Sequence, residues 1–437
     1  MDIAVIELND SEVTVVQSGH VVARSPGIAV IKEDRIELGQ AALQSTHMDP
    51  RNTFSRFWSN LNQDGFKHST KLARHNADLA YAHLLSLHEM AAEVDHVVFA
   101  VPGSFTTVQL SLLLGLAQAS PFSPGGLVDS AVAATAAAGA GSYNHLDIHL
   151  HQTVITSLEV SGSVDRVAVK VVDDVGLLDI QDKCVNHIAD LFIRQSRFDP
   201  LHHASTEQAL CNSLAQCLQE LRDKTDTQVE IGFENARYQA RVNRERLVEA
   251  LRPLYNRISA AADPARVSLV NGRLAGLPVF TEHLAAAGIE AEVLDERAVF
   301  AGCMGYVSGR KTGEEEIYFV TQLRAATEPA IGSAVTASLE QKPEEAPTHV
   351  LVDAEAHPLG QTPLYLSAQG ALSAAGGEES LCSLSLNGAA ATLFPADAEA
   401  VIFINGQAVD GNAGLRPGDV ISFANSDREF TLIRVLA

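Results

Sequence analysis

The chain has 437 residues, of which 46% are hydrophobic and 19% charged, so it is long enough for two or three globular domains with a sizeable core. Its formal net charge of −23 would repel nucleic-acid phosphates and anionic lipid surfaces, and we expect neither as a partner. No apolar run approaches the roughly 18 residues that a membrane-spanning helix needs, so we expect no membrane insertion.

The N-terminus and the cysteines bear on the cellular compartment. The opening MDIAVIELND lacks the basic and apolar regions of a secretory signal. The 5 cysteines are scattered and show no metal-type spacing, which fits reduced thiols. Both observations lead us to expect a cytoplasmic protein.

The first predicted elements are two strands, residues 3–8 and 13–16, joined by the turn Asn9-Asp10-Ser11. Acidic side chains crowd this turn and it contains no glycine. A phosphate would therefore be repelled there unless a bound metal ion offset the charge. A plain surface hairpin is the alternative.

The central part of the N-terminal half predicts an α/β layer around a buried sheet. Its order is strand, helix, short strand and alanine-rich helix, with a Pro-Gly stop after the first strand. The predicted bounds are 97–101, a helix from Ser104, 126–128 and 130–138, with a long helix over 75–92 before them.

Within this stretch, AVPGSF and the later LVDSAVAATAAAG resemble the segment of Hsp70-type chaperones written VPA-x-F, helix, NEPTAAALAYG. In that family the segment joins the two halves of the actin-like ATPase fold. The resemblance implies an α/β, two-lobed actin/Hsp70-type ATPase fold over residues 1–325, built from duplicated mixed-sheet subdomains with helices. Asp129 stands where the family has glutamate and is a candidate nucleotide-cleft position.

The resemblance also assigns the first hairpin to the first phosphate loop, which the family writes D-L-G-T-T-N-S. Glu7, Asn9 and Asp10 then lie at candidate nucleotide-cleft positions, and the loop glycine is missing. A catalytic lysine normally follows a P-x-N-T-I motif, which residues 50–54 resemble. Only Arg56 is found there, and a guanidinium is not a positional replacement for an ammonium.

The second phosphate loop of the family, D-x-G-G-G-T, should follow the alanine-rich helix. A strand-like run over 145–155 stands there, with Asp147 at the acid position and His149, Leu150 and His151 in place of the three glycines. Only glycine lets the backbone approach a pyrophosphate without a Cβ clash. We therefore expect the architecture to be kept and the phosphate chemistry lost.

The same run permits a metal site. Period-2 alternation places His145, Asp147, His149 and His151 on one face of a strand. The H-x-H spacing of His149 and His151 can bring two imidazoles to one metal ion, with Asp147 as a third ligand. The alternative, which we favour, is a polar, cleft-facing strand with solvated histidines.

The rest of the first part predicts more helices and one hairpin. The predicted helices cover 179–197, 206–222 and 244–262, the second with a capping box at Ser205 to Gln208, and the hairpin covers 228–242. Residues 267–278 resemble the adenosine turn of the Hsp70 family, so Gly272 and Arg273 are candidate nucleotide-cleft positions. Residues 296–306 resemble the closing helix of that fold.

The C-terminal part changes in composition. Residues 326–348 are rich in Pro, Glu, Ala and Ser and predict a linker between independently folding parts. Short strand-like pieces between Gly/Asn/Asp turns predict a small all-β sandwich over 349–437. Its motifs IFING and LRPGDVI resemble the end of a forkhead-associated domain. Gly360-Gln361 stands where that family has Gly-Arg, and we find no S-x-x-H, so we expect no phosphothreonine binding.

Two functions follow from these observations. The first is a non-catalytic scaffold or adaptor, a pseudo-ATPase that binds a protein partner and needs no cofactor. The second is a divergent Hsp70-family, chaperone-like ATPase that binds ATP with Mg²⁺ and a client protein. The missing glycines and lysine favour the first. The fold alone does not decide between the two, because one fold can carry several functions.

Overall fold

A computed structural model describes residues 3–67, 70–91, 94–309 and 317–325 and, further on, 347–352, 355–360, 362–367, 372–373, 380–387, 390–395, 402–404, 407–409, 413–415, 419–423 and 428–433. Backbone contacts divide the chain into an N-terminal unit, Met1–Gly332, and a C-terminal unit, Ser333–Ala437. Of the helices in the described residues, none is both long and apolar enough to span a membrane.

The N-terminal unit alternates strands and helices. Its described strands are β1 (Ala4–Glu7), β2 (Val13–Gln17), β3 (His20–Ser25), β4 (Ala29–Ile31), β5 (Ile36–Leu38), β6 (Thr53–Phe54), β7 (His96–Val101), β8 (Ser123–Asp129), β9 (Gly141–Ile148), β10 (Gln152–Val160), β11 (Ser163–Asp173), β12 (Asp226–Phe233), β13 (Ala236–Asn243), β14 (Val267–Val270), β15 (Ala291–Val293), β16 (Phe319–Val320) and β17 (Gln322–Arg324). Its described helices are α1 (Gly39–Leu43), α2 (Asn76–Met90), α3 (Thr107–Ala119), α4 (Ser130–Thr135), α5 (Leu177–Ser196), α6 (Ala204–Asp223), α7 (Arg244–Ser259), α8 (Gly272–Ala275), α9 (Phe280–Ala286) and α10 (Ala298–Gly309).

Two six-stranded mixed sheets form the frame of this unit. The first has the order β3-β2-β1-β7-β8-β16, with β1, β2 and β3 antiparallel and β7 and β8 added in parallel beside β1. The second has the order β17-β11-β10-β9-β14-β15, with β9, β10 and β11 antiparallel and β14 and β15 added in parallel beside β9. Five strands of each sheet thus follow the same plan, a three-stranded meander with two later strands added in parallel beside its first strand. The sixth strands differ, because β16 adds in parallel beside β8 and β17 adds antiparallel beside β11.

The sequence of the central strand explains its place in the first sheet. Residues 97–101 of β7 are apolar without interruption and all lie at most 1% exposed, as expected for a parallel strand covered on both faces. The chain then leaves the sheet at Pro102. Helix α3 begins with a capping box between Thr106 and Gln109, which satisfies the free backbone N–H groups of its first turn.

The two sheets share an apolar cluster with α4 and α10. Val5 and Val98 of the first sheet and Leu158 of the second belong to this cluster. Gly302 of α10 lies so close to α4 that a Cβ at this position would overlap the carbonyl group of Ala133. This packing holds the sheets together and brings the turns that follow β1 and β9 into contact.

The described strands of the C-terminal unit are β18 (His349–Val352), β19 (Glu355–Pro358), β20 (Leu364–Ser367), β21 (Leu372–Ser373), β22 (Ser380–Asn387), β23 (Ala390–Pro395), β24 (Ile402–Ile404), β25 (Gln407–Val409), β26 (Ala413–Leu415), β27 (Val420–Phe423) and β28 (Glu429–Ile433). They form two antiparallel sheets, β19-β18-β28-β27-β24-β25 and β21-β20-β22-β23-β26. Side chains of both sheets, such as Leu432 and Leu384, share one apolar core. This part is therefore sandwich-like and all-antiparallel.

Most element predictions are confirmed, and two are wrong. The hairpin at the start, the helix near 75–92, the 97–101 strand and the 228–242 hairpin all form. Ser205 makes no capping box, because α6 already begins at Ala204 without a side-chain cap. The 145–155 run is not one strand, because β9 ends at Ile148 and the chain turns before β10. The expectations for the 326–346 part of the linker, for Gln361, and for much of the IFING and LRPGDVI motifs lie outside the described residues.

Candidate functional site

The turns after β1 and β9 bond directly to each other. The Asn9 amide nitrogen Nδ2 donates to the Asp147 carboxylate at 2.8 Å and to the carbonyl oxygen of Ile148 at 2.9 Å. In the opposite direction, the backbone N–H of Leu150 donates to the Asp10 carboxylate at 2.8 Å. These contacts join the two mixed sheets at the two turns that the resemblance assigns to the phosphate loops of the Hsp70 family.

His149 lies between two carboxylates. Its Nδ1 lies 3.3 Å from Asp10 Oδ1, and its Nε2 lies 3.4 Å from Asp147 Oδ2 without the alignment of a hydrogen bond. Asp10 and His149 are each 3% exposed and Asp147 is 5% exposed. We call Asn9, Asp10, Asp147 and His149 the buried polar cluster.

The charges of this cluster stabilise one another. Burial alone would lower the pKa of His149, but the two neighbouring carboxylates outweigh it and raise this pKa to about 10. Burial alone would raise the pKa of Asp147, but His149 outweighs it and lowers this pKa to about 2. The cluster therefore holds an imidazolium and a carboxylate at neutral pH.

The expectation of a surface hairpin and of solvated histidines is wrong. The backbone N–H groups of Leu177 and Leu178, at the start of α5, donate to the carbonyl oxygens of His149 and Leu150 at 2.8 and 3.0 Å. Gly176 makes this approach possible, because a Cβ there would overlap the backbone of the turn. Helix α5 thus covers the β9–β10 turn and shields His149 from water.

The structure does not bring the histidines and Asp147 together in the metal site that the strand pattern permitted. His151 lies in the turn and shares a hydrogen bond of 2.9 Å with Ser55 Oγ, while His149 faces Asp10. Burial lowers the pKa of His151. Within the described residues, no group of three or more His, Cys, Asp or Glu side chains has the geometry to hold a metal ion.

Arg273 pairs with one further acidic side chain of the sequence analysis, that of Glu7. Arg273 Nη1 lies 3.4 Å from Glu7 Oε1, and Arg273 Nη2 donates to the carbonyl oxygen of Glu12 at 3.0 Å. Burial raises the pKa of Glu7 although Arg273 opposes it. Gly272 begins α8, and Asn271 caps this helix while its amide also donates to the Asp147 carboxylate.

Asp129 has a structural role. Its carboxylate caps α4 by accepting from the backbone N–H groups of Ala131 and Val132, and its other oxygen accepts from Arg166 Nη1 at 2.7 Å. The side chain is fully buried, and burial raises its pKa against the effect of Arg166. It is therefore held by α4 and Arg166 rather than turned toward the buried polar cluster.

The structure thus brings together Glu7, Asn9, Asp10, Asp147, His149, Gly272 and Arg273, whereas Asp129 and His151 have other partners. The sequence interpretation missed Asn271, although an asparagine directly before a helix is a typical N-cap signal. No protein-family model matches the chain, and a search of curated proteins returns no match to it.

Proposed function

We propose that the N-terminal unit has the two-lobed actin/Hsp70-type fold and acts as a pseudo-ATPase, a scaffold that does not hydrolyse ATP and that binds a protein partner. The repeated strand order of the two mixed sheets supports this fold, because a duplicated subdomain would place the same meander and the same parallel strands twice. The two turns that resemble phosphate loops also occupy equivalent positions, each between the first two strands of its sheet.

The buried polar cluster is the observation that carries the scaffold proposal. In a nucleotide-binding loop, free backbone N–H groups and glycines surround the phosphates. Here the N–H of Leu150 is already bonded to Asp10, and the imidazole of His149 fills the space between Asp10 and Asp147. A triphosphate would have to separate these ion pairs and then lie against two carboxylates.

The neighbouring space is also small and acidic. A cavity of about 200 Å³ lies on one side of the cluster, with Asp10, His149 and Asp173 in its wall. A cavity of about 250 Å³ lies on the other side, with Glu7 and Asp147 among its lining residues. Both volumes fall below the range of about 300–1,000 Å³ that is usual for ligand sites.

The charge of the chain favours a partner with a basic surface. A net charge of −23 attracts positively charged proteins over a Debye length and raises their association rate. For the C-terminal unit we propose a forkhead-associated-like sandwich that contacts protein without reading phosphothreonine. Its two antiparallel sheets support this assignment.

Isothermal titration calorimetry with MgATP and MgADP tests the scaffold proposal. We expect no dissociation constant tighter than about 1 mM, which corresponds to about −4 kcal/mol, and no hydrolysis above background. A micromolar dissociation constant would refute the scaffold and favour the chaperone-like ATPase. In that case Arg273→Ala should weaken binding in the cleft, and Arg35→Ala, in the turn between β4 and β5 of a separate three-stranded sheet, should not.

A further inference from the structure

A third cavity, of about 690 Å³, lies in the N-terminal unit between the loop after α1 and the helices α5 and α6. Its wall includes His47, Arg56, His151, Asp182 and Cys211. This volume lies within the usual range for small-molecule sites. Apart from His151, none of the residues predicted from the sequence as candidate site residues lines it.

A thiol, an imidazole and a carboxylate lie in line at this cavity. Cys211 Sγ lies 3.2 Å from His47 Nε2, and His47 Nδ1 lies 3.1 Å from Glu207 Oε1. Glu207 and Cys211 are four residues apart on α6, so both side chains lie on one face of that helix. With its proton on Nδ1 beside Glu207, the His47 ring offers the Nε2 lone pair to the thiol.

The loop that carries His47 is fixed to the same helix. Gln208 is buried; its Oε1 accepts from the backbone N–H of His47 at 2.9 Å, and its Nε2 donates to the carbonyl oxygen of Leu43 at 3.0 Å. The hydroxyl group of Thr53 holds the loop from the other side by donating to the carbonyl oxygen of Thr46 at 3.2 Å. The imidazole is therefore positioned before any ligand arrives.

Cys211 differs from the other cysteines. Cys184, Cys217, Cys303 and Cys382 are buried, whereas Cys211 is partly exposed. Burial raises the pKa of the Cys211 thiol to about 12, and the carboxylates of α5 and α6 act in the same direction. The resting thiol is therefore neutral, and it needs a base to take its proton during attack.

We propose that Cys211 is a nucleophile that takes an acyl group from an ester or thioester, with His47 as its general base and Glu207 as a positioning residue. This activity goes beyond the scaffold function and does not depend on nucleotide. The wall of the cavity carries the carboxylate of Asp182 and the guanidinium of Arg56, so its charges do not restrict the acyl group to one sign.

The step balances without a cofactor. Cys211 Sγ attacks the carbonyl carbon while His47 Nε2 takes the thiol proton, and the same nitrogen returns this proton to the leaving alkoxide or thiolate as its bond to carbon breaks. The acyl group then lies on Sγ. Water can attack the thioester with His47 again as the base, which releases a carboxylic acid and restores the thiol.

Rapid-mixing absorbance with p-nitrophenyl acetate tests the proposal on the full chain. We expect a burst of about one equivalent of p-nitrophenol, and peptide mass spectrometry should find the acetyl group on Cys211. Cys211→Ala should abolish the burst, whereas Cys217→Ala, a buried thiol on the same helix, should leave it unchanged. His47→Ala should slow the burst at least about 100-fold, and added imidazole should restore part of it.

The positioning role of Glu207 is tested by a measurement that would not change if Glu207 only supported the fold. Glu207→Ala should slow the burst about 10-fold, while Glu207→Gln, which keeps an oxygen beside His47 Nδ1, should stay within about 3-fold of the wild type. Equal acetylation of Cys211 and Cys217 in the wild type would overturn the proposal, and this comparison needs no variant to fold. A burst unaffected by His47→Ala would overturn it as well. Neither outcome bears on the MgATP titration, so the two proposals fail separately.

Discussion

Replacing His149 by leucine tests whether the buried polar cluster holds the two mixed sheets together. Leucine is an apolar side chain of comparable size but lacks the positive charge between Asp10 and Asp147. The substitution leaves two carboxylates that are 3% and 5% exposed without their cation. We expect a large loss of stability, because a buried charge without a partner keeps its full desolvation penalty.

Removing one partner of a buried ion pair costs about 3–5 kcal/mol in proteins generally. The pKa of His149 points the same way, because a histidine whose pKa rises on folding stabilises the folded state at neutral pH. Since a domain is typically stable by about 5–15 kcal/mol, the variant should lose a large part of its free energy of unfolding.

Urea denaturation followed by tryptophan fluorescence measures this change in the N-terminal unit alone. Trp58 is the single tryptophan of the chain; it is 3% exposed and donates to His83 Nδ1 at 2.9 Å, so its emission reports unfolding of this unit. His145→Leu is the matched control, because His145 is equally buried but burial lowers its pKa and keeps it neutral. We expect the control to lose about 1 kcal/mol. If His149→Leu lost no more free energy of unfolding than His145→Leu, the buried polar cluster would not be what holds the two mixed sheets together.

Three further predictions use the same fluorescence assay. Raising the pH should destabilise the wild type, because the pKa of His149 is raised on folding. The contribution of His149 to stability is complete below pH 6.5 and is lost as the pH rises toward about 10. The His149→Leu variant should lack this pH dependence. Arg166→Ala should cost about 2–3 kcal/mol, because it removes the 2.7 Å partner of the fully buried Asp129 carboxylate, and a loss under about 0.5 kcal/mol would contradict that role. Gly302→Ala should cost about 1–3 kcal/mol by forcing α10 away from α4. In the control Gly305→Ala, on the same helix, the added Cβ meets no atom within 4 Å, so this variant should be neutral or more stable by up to about 1 kcal/mol. Equal effects of the two substitutions would argue against the close contact between the helices.

The secondary structure was predictable wherever local pattern decides it. The 97–101 strand has an uninterrupted apolar run and a Pro-Gly stop, and both signals act within a few residues. The residues of the buried polar cluster were named from the sequence only through the resemblance, which gave Asn9, Asp10, Asp147 and His149 as candidate nucleotide-cleft positions. The hydrogen bonds between the two turns were not predicted.

The environment of the cluster was not predictable from local pattern. The run His149-Leu150-His151 alternates polar and apolar residues as a strand does, and this hid the turn. Burial of His149 comes from the N-terminus of α5, which approaches only because residue 176 is glycine. A contact between segments separated in the chain leaves no periodic signal.

The failed capping box has the same cause. Ser205 and Gln208 have the right spacing, but the Gln208 amide bonds to the loop of His47, 161 residues away in sequence. That contact is also what places His47 beside Cys211. Nothing in the spacing of a histidine at 47 and a cysteine at 211 indicates a pair, so the cavity of about 690 Å³ could be found only from the fold.

On the proposed fold, the buried polar cluster links stability to nucleotide affinity. A nucleotide could reach the two turns only after the ion pairs of His149 separate, and we estimate that step at about 3–5 kcal/mol. The difference between a micromolar and a millimolar dissociation constant is about 4 kcal/mol. Even a cleft with micromolar intrinsic affinity would therefore bind ATP only at millimolar concentration, because the competent state is rarely populated. On this proposal, the energy that disfavours ATP would also keep the two sheets in one arrangement, as a scaffold requires, whereas a chaperone driven by nucleotide would need the sheets to move.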